Sequence, residues 1–553
     1  MNRKLRIGLL MDTATMPAWS FRMVEEIVHS DYAEIVLIIL NSRPPEKASF
    51  TSRLRRNWRH QLYLAFRNYE DHRVRVQPDA FERKETGLLF AGVPVIKVNP
   101  LRKRFSDYFS AEDLDRIRPY EVDILVRLGF RILRGQILSL PKFGIWSYHH
   151  GDNDTLRGGP AGVWDVIENR PVSGSILQIL TEDLDNGLLL QRSFTATEPL
   201  SIKKNRNALY WKNSSLLTNK LLELHHKGEE AFFREVRSAN REPRFYSHRL
   251  YTAPTNGRFL IFLIDLVRRR IQCRWKRLFF IKEWFLLYSR GEGLSTSLWR
   301  FKKYIPPRDR IWADPFVVFH NGIWHVFIEE YIYANKRAHI SCLTLDSTGR
   351  WSGPRPVVER PYHLSYPFLF EHNKQLFMIL TNGRDHAIEL YHCASFPETW
   401  NFERALLDNV DAFDATLVQH DQRWWMFVNV RENPGASSWD ALFLFHSADP
   451  LGTNWTAHPK NPVVTDVRRA RPAGQIFRHN GDMYRPSQDC SRGYGSGIRI
   501  NRIDVLTGED YQETEVAAIS PSWGRKIQGI HTINHAAGLT VADAKRFRLR
   551  IFG

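Results

Sequence analysis

The sequence predicts two domains, an α/β domain with a mostly parallel sheet followed by an all-β five-bladed propeller. Short apolar runs alternate with helical patterns over residues 1–235. One strand–turn–strand phrase recurs five times beyond residue 306. The chain has 553 residues, too many for one ordinary domain.

In the α/β domain, strands are expected near 4–11, 34–40, 123–128, 143–148 and 174–180. The first run, Ile7 to Met11, is too short for a secretory signal and is interrupted at Asp12, so it reads as a strand. The run Phe143 to Trp146 delivers a polar cluster, Ser147, His149, His150 and Asp152. A glycine turn, Arg157-Gly158-Gly159, follows, and a helix is expected from near Pro160. A further strand, Ser175 to Leu180, ends just before Asp185-Asn186-Gly187. Ligands of α/β sheets bind where strands end and loops gather. The pattern thus brings one imidazole and one carboxylate to a common strand end, as proton transfer requires. The plainer alternative is a capping or buried histidine and a turn aspartate.

Taken in order, these residues resemble the folate-dependent formyltransferases, the family of methionyl-tRNA formyltransferase and the sugar N-formyltransferases. The family pattern runs Asn-x-His, then Arg-Gly, a Trp seven residues after that Arg, and Asp-x-Gly. Here the matching residues are His149, Arg157-Gly158, Trp164 and Asp185-Asn186-Gly187. The resemblance covers roughly 1–235 and implies a Rossmann-like formyltransferase fold, with 10-formyltetrahydrofolate as donor. It implies that His149 transfers protons and stabilises an oxyanion, while Asp185 orients it or accepts the amine proton through water. Ser147, Asp152 and Arg157 would shape the site, with His150 beside them. The family's Asn is Ser147 here. A serine hydroxyl donates one hydrogen bond, and loss of one oxyanion donor costs about 10²–10³ in rate. That departure leaves open another acyl donor, or a decayed half in a non-catalytic glycan-binding scaffold.

The repeated phrase starts at Asp314, Tyr366, Asp414, Ala473 and His531, a period near 50 residues. Its turns, such as His320-Asn321-Gly322, suit hairpins, and strands rich in Phe, Trp and Val exclude helices. Five hairpin units imply five blades. The first residue of each phrase should begin an inner strand near the central channel. Asp314 and Asp414 there could serve as acid and base or nucleophile for glycosyl transfer or glycoside hydrolysis, with Glu329 or Glu330 as a third acid. Arg471, Arg485 and His531 suit a phosphate or a sugar acid. The alternative is that all these groups hydrogen-bond neighbouring blades. The motifs Trp312 to Phe316, His363 to Phe368, Arg471 to Gly474, Arg485 to Asp489 and His531 to Asn534 resemble the propeller-like domain at the N-terminus of plant glucosamine inositolphosphorylceramide transferases. That resemblance spans about 285–548 and implies a glycan or glycolipid setting.

Residues 236–300 read as a basic, aromatic linker before the propeller at 301–553. Within it, 257–290 combines apolar residues with a basic run, which suits an anionic membrane surface or a helix between domains. The net charge of +18 favours anionic partners, but no nucleic-acid motif occurs. The basic clusters Arg53 to Arg56 and Lys203 to Arg206 read as solvated faces. Cys273, Cys342, Cys393 and Cys490 form no metal pattern and suggest reduced thiols, hence a cytoplasmic protein, peripheral at the inner membrane face if it meets lipid. No apolar stretch is long enough to span a bilayer. The leading expectation is a transferase of bacterial surface-polysaccharide or glycolipid synthesis. It would move a formyl or related acyl group to an amino sugar, borne on a nucleotide-sugar or a lipid-linked glycan that the propeller holds.

Overall fold

The computed structural model describes residues 3–43, 58–103, 105–183, 187–243, 245–524 and 526–550. Asp185 and the cluster Arg53 to Arg56 fall outside the described residues. The chain divides into two compact units, Met1–Arg269 with Asn433–Ala436, and Arg270–Glu432 with Ser437–Gly553.

The first unit is built on a seven-stranded sheet. From one edge its strands are Leu188–Ala196, Val172–Ile179, Ile145–His149, Ile124–Arg127, Leu5–Met11, Ala33–Asn41 and Val95–Val98. The last five are parallel, and the first two add antiparallel pairs. Central strands covered on both faces must be apolar throughout, and Leu5–Met11 is buried at all but one position. Helix Ala18–His29 buries Trp19, Met23, Val24 and Ile27, a spacing of three and four that puts them on one face. Strand order reverses between Leu5–Met11 and Ile124–Arg127, the crevice where such sheets bind ligands. There Asp12 Oδ1 accepts bonds from Phe130 N at 2.9 Å and Asn41 Nδ2 at 3.0 Å. A Cβ on Gly129 would lie 2.6 Å from Asp12 N, so only glycine fits this turn.

The five expected α/β strands are all present. Val95–Val98 was not foreseen because it is a four-residue edge with alternate positions exposed. Leu188–Ala196 is a second edge strand, with polar Gln191, Arg192, Ser193 and Thr195 breaking its apolar run. The helix expected near Pro160 is a single turn, Trp164–Ile167.

The second unit consists of five antiparallel sheets in succession, the blades of a propeller. Four run in simple order, with inner strands Arg310–His320, Leu364–His372, Ala412–His420 and Phe477–His479. The fifth joins both ends of the unit: Ile533–Ala536, Leu539–Leu549, Phe280–Arg290 and Lys302–Tyr304. Phe280–Arg290 pairs with Leu539–Leu549 along its whole length, from Phe280 opposite Leu549 to Arg290 opposite Leu539. The segment 236–300 is therefore not a linker. It holds helix Asn256–Phe279 and then a propeller strand. The repeated phrase concealed this, because that strand completes a blade whose own phrase lies at the far end of the chain.

The five predicted turns each hold two successive left-handed residues, such as Asn321 and Gly322 (φ 49° and 76°) and Asp421 and Gln422 (48° and 60°). This is the type I′ geometry that matches strand twist. A second left-handed position recurs where the phrase begins. Asp314 (49°), Tyr366 (56°) and Asp414 (56°) each sit in a bulge of the inner strand. Such residues cost about 1–3 kcal/mol each and persist only when their surroundings hold them.

Phe285 in the closing strand is fully buried among Leu287, Ile498, Ile530 and Ala542. Phe285→Ala should destabilise the propeller by about 3–5 kcal/mol, read as a lower midpoint in denaturant unfolding. Phe319→Ala, at an exposed position, should shift it by no more than about 0.5 kcal/mol.

Candidate functional site

A cleft of about 270 Å³ opens at the carboxyl ends of Ile124–Arg127 and Ile145–His149. Arg127, His149, His150 and Gln178 line one side, and Ile132, Leu133 and Leu180 supply an apolar wall. Ser147 is buried beneath this surface, where its Oγ accepts a bond from Arg127 Nη1 at 2.8 Å. The guanidinium thus stands beside the position where the formyltransferase pattern has an amide. His149 is half-buried, with Nε2–H directed at Leu156 O, 3.4 Å away. A bond this long is weak, so that donor can be redirected to a ligand.

His150 is held differently. Its ring stacks on Tyr210, 3.8 Å between centroids, and meets Trp19 edge-on at 5.4 Å. Asn213 Nδ2 donates to its Nδ1 at 2.7 Å. Burial, reinforced by the charges of His149, Arg206 and Arg127, pulls its pKa from 6.5 to about 3. It is a neutral imidazole that sets the wall of the cleft.

The loop residues mostly brace the site. Asp152 accepts from Thr155 Oγ1 at 3.2 Å and pairs with Arg192 at 3.3 Å, and its carbonyl accepts from Leu156 N at 2.7 Å. Arg157 donates Nε to Asn153 O at 3.0 Å and lies over the ring of Tyr246, 4.5 Å from its centroid. A Cβ on Gly158, whose φ is +95°, would lie 2.2 Å from Tyr251 O, so the turn demands glycine. Trp164 is buried and donates Nε1 to Thr252 O at 2.8 Å. Asp183 and Gly187 border the cleft on either side of residues 184–186. Sequence reading missed Arg127 and Gln178. Arg127 carried a signal, a lone charge closing an apolar strand.

The propeller channel gathers the other candidates. Asp414 is buried and receives Arg471 through both Nε and Nη2, at 2.5 and 3.1 Å, with Gln488 Nε2 at 3.1 Å. Its lone pairs are taken up by these donors. Arg471 is half of that pair and donates also to Ser438 O at 3.2 Å. Tyr366 reaches across the channel: Gly474 N donates to its Oη at 2.8 Å, and Thr416 Oγ1 lies 2.9 Å away. Arg485 forms a two-point pair with Glu513 at 2.8 and 2.9 Å and donates to Arg469 O at 2.7 Å, inside its own blade.

Asp314 accepts from Thr532 Oγ1 at 2.6 Å, and its backbone N–H goes to Asp543 Oδ2 at 3.0 Å. His531 lies between the two carboxylates, Nδ1 2.5 Å from Asp543 and Nε2 3.5 Å from Asp314, stacked on Trp284. The ligand atoms of Asp314, His531 and Asp543 fall within 4.8 Å of one another. Asp543 already accepts the backbone N–H groups of His531, Thr532 and Asp314, so this donor set is occupied by the protein itself.

Burial, with the carboxylates of Glu329, Asp414 and Asp543 close by, raises the Asp314 pKa well above the usual range. Burial also disfavours the charged form of Glu329. His363 at 3.2 Å and a hydrogen bond from Asp314 outweigh it and hold that carboxyl low. Glu330 is a different case. Trp312, His339, Ser341 and Arg310 all bond to it, and it is structural. The partner roles of Thr532, Gln488 and His363, which lie inside the motifs named above, and of Asp543 were not legible in the sequence, since Thr532 meets Asp314 and Gln488 meets Asp414 only once the blades assemble.

The fold and sites thus define a chain with an α/β cleft at the carboxyl ends of two parallel strands and a propeller with an acid-lined channel. A family model for the N-terminal part of glucosamine inositolphosphorylceramide transferase 1 matches residues 306–532. That transferase from Oryza sativa subsp. japonica is 31% identical over 207 residues, 37% of this chain and 28% of its own length. This chain therefore spans little more than a quarter of that curated relative. A methionyl-tRNA formyltransferase of Prochlorococcus marinus is 33% identical over 76 residues, 14% of this chain and 22% of that one. Among solved structures, an exo-1,5-α-L-arabinanase from a bovine ruminal metagenomic library aligns with 44% of this chain and 95% of its own at 16% identity, with a TM-score of 0.31.

The His150 environment gives a pH test. Between about pH 6.5 and 3 the unfolded chain binds a proton that the folded unit refuses. The stabilising contribution is full above about 6.5 and is lost as pH falls. The urea midpoint of the wild type should drop between about pH 7 and 4.5, and His150→Phe should flatten that drop. An equal slope in the variant would count against a neutral His150.

Proposed function

We propose that the α/β unit transfers a formyl or related acyl group to the amine of an amino sugar, and that the propeller binds the glycan to which that sugar belongs. The observation that carries this reading is the placement of His149 and the Arg127–Ser147 pair in one cleft at the carboxyl edge of the sheet. Similarity to methionyl-tRNA formyltransferases over part of the unit supports it.

The chemistry places negative charge on the carbonyl oxygen when the amine nitrogen bonds to the acyl carbon. Donors aimed at that oxygen lower the barrier. His149 and Arg127 both line the cleft and would be those donors, and Ser147 fixes the guanidinium rather than contacting the substrate. The cleft offers what a flat, hydrogen-bonding heterocycle needs: an apolar wall of Ile132, Leu133 and Leu180 beside the polar groups of Gln178 and Thr181. Those residues would hold 10-formyltetrahydrofolate, whose bond between N10 and the formyl carbon would break as the new amide forms, tetrahydrofolate leaving with a proton on N10. The amine proton needs an acceptor, and Asp185 is assigned that role from its place in the sequence pattern.

Transfer of labelled formyl from 10-formyltetrahydrofolate to nucleotide-linked amino sugars tests this reading. His149→Ala and Arg127→Gln should each lower the rate by about 10²–10³. Absence of transfer by folded wild-type protein, or variants as fast as wild type, would reject the proposal.

A second reading puts glycosyl transfer or hydrolysis in the propeller. It is favoured by one pair, Asp314 with its pKa raised and Glu329 with its pKa lowered. Environments that push two carboxyls apart mark acid and base partners. Asp414, the other acid proposed there, is tied up by Arg471 and Gln488. On this reading Glu329→Gln removes glycoside-directed activity and leaves formyl transfer intact. Formyl transfer that His149→Ala abolishes, with no glycoside-directed activity in the wild type, would leave only the first reading standing.

A further inference from the structure

Helix Asn256–Phe279 has one face that belongs to the fold and one that does not. Phe259, Phe262 and Leu266 pack with Tyr63, Val166 and Tyr251. Rather less than half a turn around, Leu260, Ile264, Val267, Ile271, Trp275 and Leu278 form a continuous line. Each is between 51% and 65% exposed. Each lies three or four residues from the next, which keeps them on one stripe about 27 Å long. Exposed apolar residues are ordinary when scattered, but a contiguous stripe marks a surface that meets something. The stripe continues at the helix start, where Trp58 (60% exposed) and Leu62 are tied to Asn256. Asn256 Nδ2 donates to Trp58 O at 2.8 Å, and Leu62 N donates to Asn256 Oδ1 at 3.1 Å.

Charge decides what that something is. The helix holds seven Arg and Lys residues against a single acid, Asp265. That acid is already paired with Arg268 at 2.6 Å and with Arg269. No acid follows it in the helix, while Arg270, Arg274, Lys276 and Arg277 do. Arg268 and Arg274 flank the apolar stripe on its two sides in helical projection. A second copy packed on this face would set these cations against their own kind. A layer of anionic headgroups above acyl chains complements both features at once. No helix among the described residues is long and apolar enough to cross a membrane, so this one would lie in the interface.

We infer that helix Asn256–Phe279 docks the protein on an anionic lipid surface, its axis in the membrane plane, the apolar stripe among the acyl chains and the flanking arginines, Arg268 and Arg274 foremost, at phosphate level. The full chain is tested by sedimentation with phosphatidylcholine vesicles and with vesicles containing about one-third phosphatidylglycerol. Binding should be on the order of 100-fold stronger to the anionic vesicles and should weaken as salt is raised. Ile264→Glu/Ile271→Glu and Arg274→Glu/Arg277→Glu should each abolish most of it, while circular dichroism and the unfolding midpoint stay unchanged, because all four residues are exposed. Equal binding to neutral vesicles, no binding to either, or variants that bind like wild type would overturn the inference. So would a lipid-free dimer, seen by sedimentation equilibrium, that Ile264→Glu/Ile271→Glu converts to monomer. That result would assign the stripe to a second copy.

Discussion

Charge buried in the propeller channel must find a partner, and for Asp314 and Asp414 that partner lies on another blade. Taking an ion out of water costs several kcal/mol, and removing one partner of a buried pair costs about 3–5 kcal/mol. Asp414 reaches Arg471 and Gln488, and Asp314 reaches Thr532 and His531. These pairs tie the inner strands of two blades to segments of the blade beside them. They also explain why the phrase begins with aspartate in a left-handed bulge. The bulge turns the carboxylate into the channel, and the ion pair holds the strained backbone in place. Tyr366 fills the same position with a phenol and bridges by hydrogen bonds alone.

The α/β cleft follows a different rule. Its walls come from the carboxyl ends of Ile124–Arg127 and Ile145–His149 and the loops beside them, so their positions are set by the sheet rather than by mutual attraction. Arg127 and Ser147 sit on adjacent parallel strands in paired register, which sets where the guanidinium meets the hydroxyl. His150 is locked as a neutral ring by Tyr210, Trp19 and Asn213. A charge placed beside a rigid, neutral wall keeps its field directed into the cleft.

Much of this architecture was legible in the sequence, for physical reasons that differ by element. Central strands such as Leu5–Met11 are apolar because both faces are covered, and the hairpin turns display the Asn-Gly chemistry of type I′ geometry. Edge strands such as Val95–Val98 lack that signal, since only one face is buried. The closing blade was only half visible. Ile533–Ala536 carries a worn copy of the phrase, whereas Phe280–Arg290 carries none and looked like linker. Of the candidate residues, Asp314, Asp414, Arg471 and His531 do meet in the channel. Arg485 instead stabilises its own blade, and Asp152 and Arg157 brace a loop. Type and spacing picked out polar residues, but whether each one faces a ligand or a neighbouring strand depends on partners that only the fold brings near.

The joining of the propeller's first strand to its last sets an order of events during synthesis. Phe280–Arg290 leaves the ribosome some 250 residues before Leu539–Leu549 exists, which is roughly 10–50 s at ~5–20 residues per second. Through that interval an eleven-residue strand with a buried apolar centre waits without its neighbour. The four inner blades can form as they emerge, each from its own hairpins. The ring stays an open arc until the final residues arrive, so the nascent chain has a long window in which that strand edge can be captured by a chaperone or by another chain.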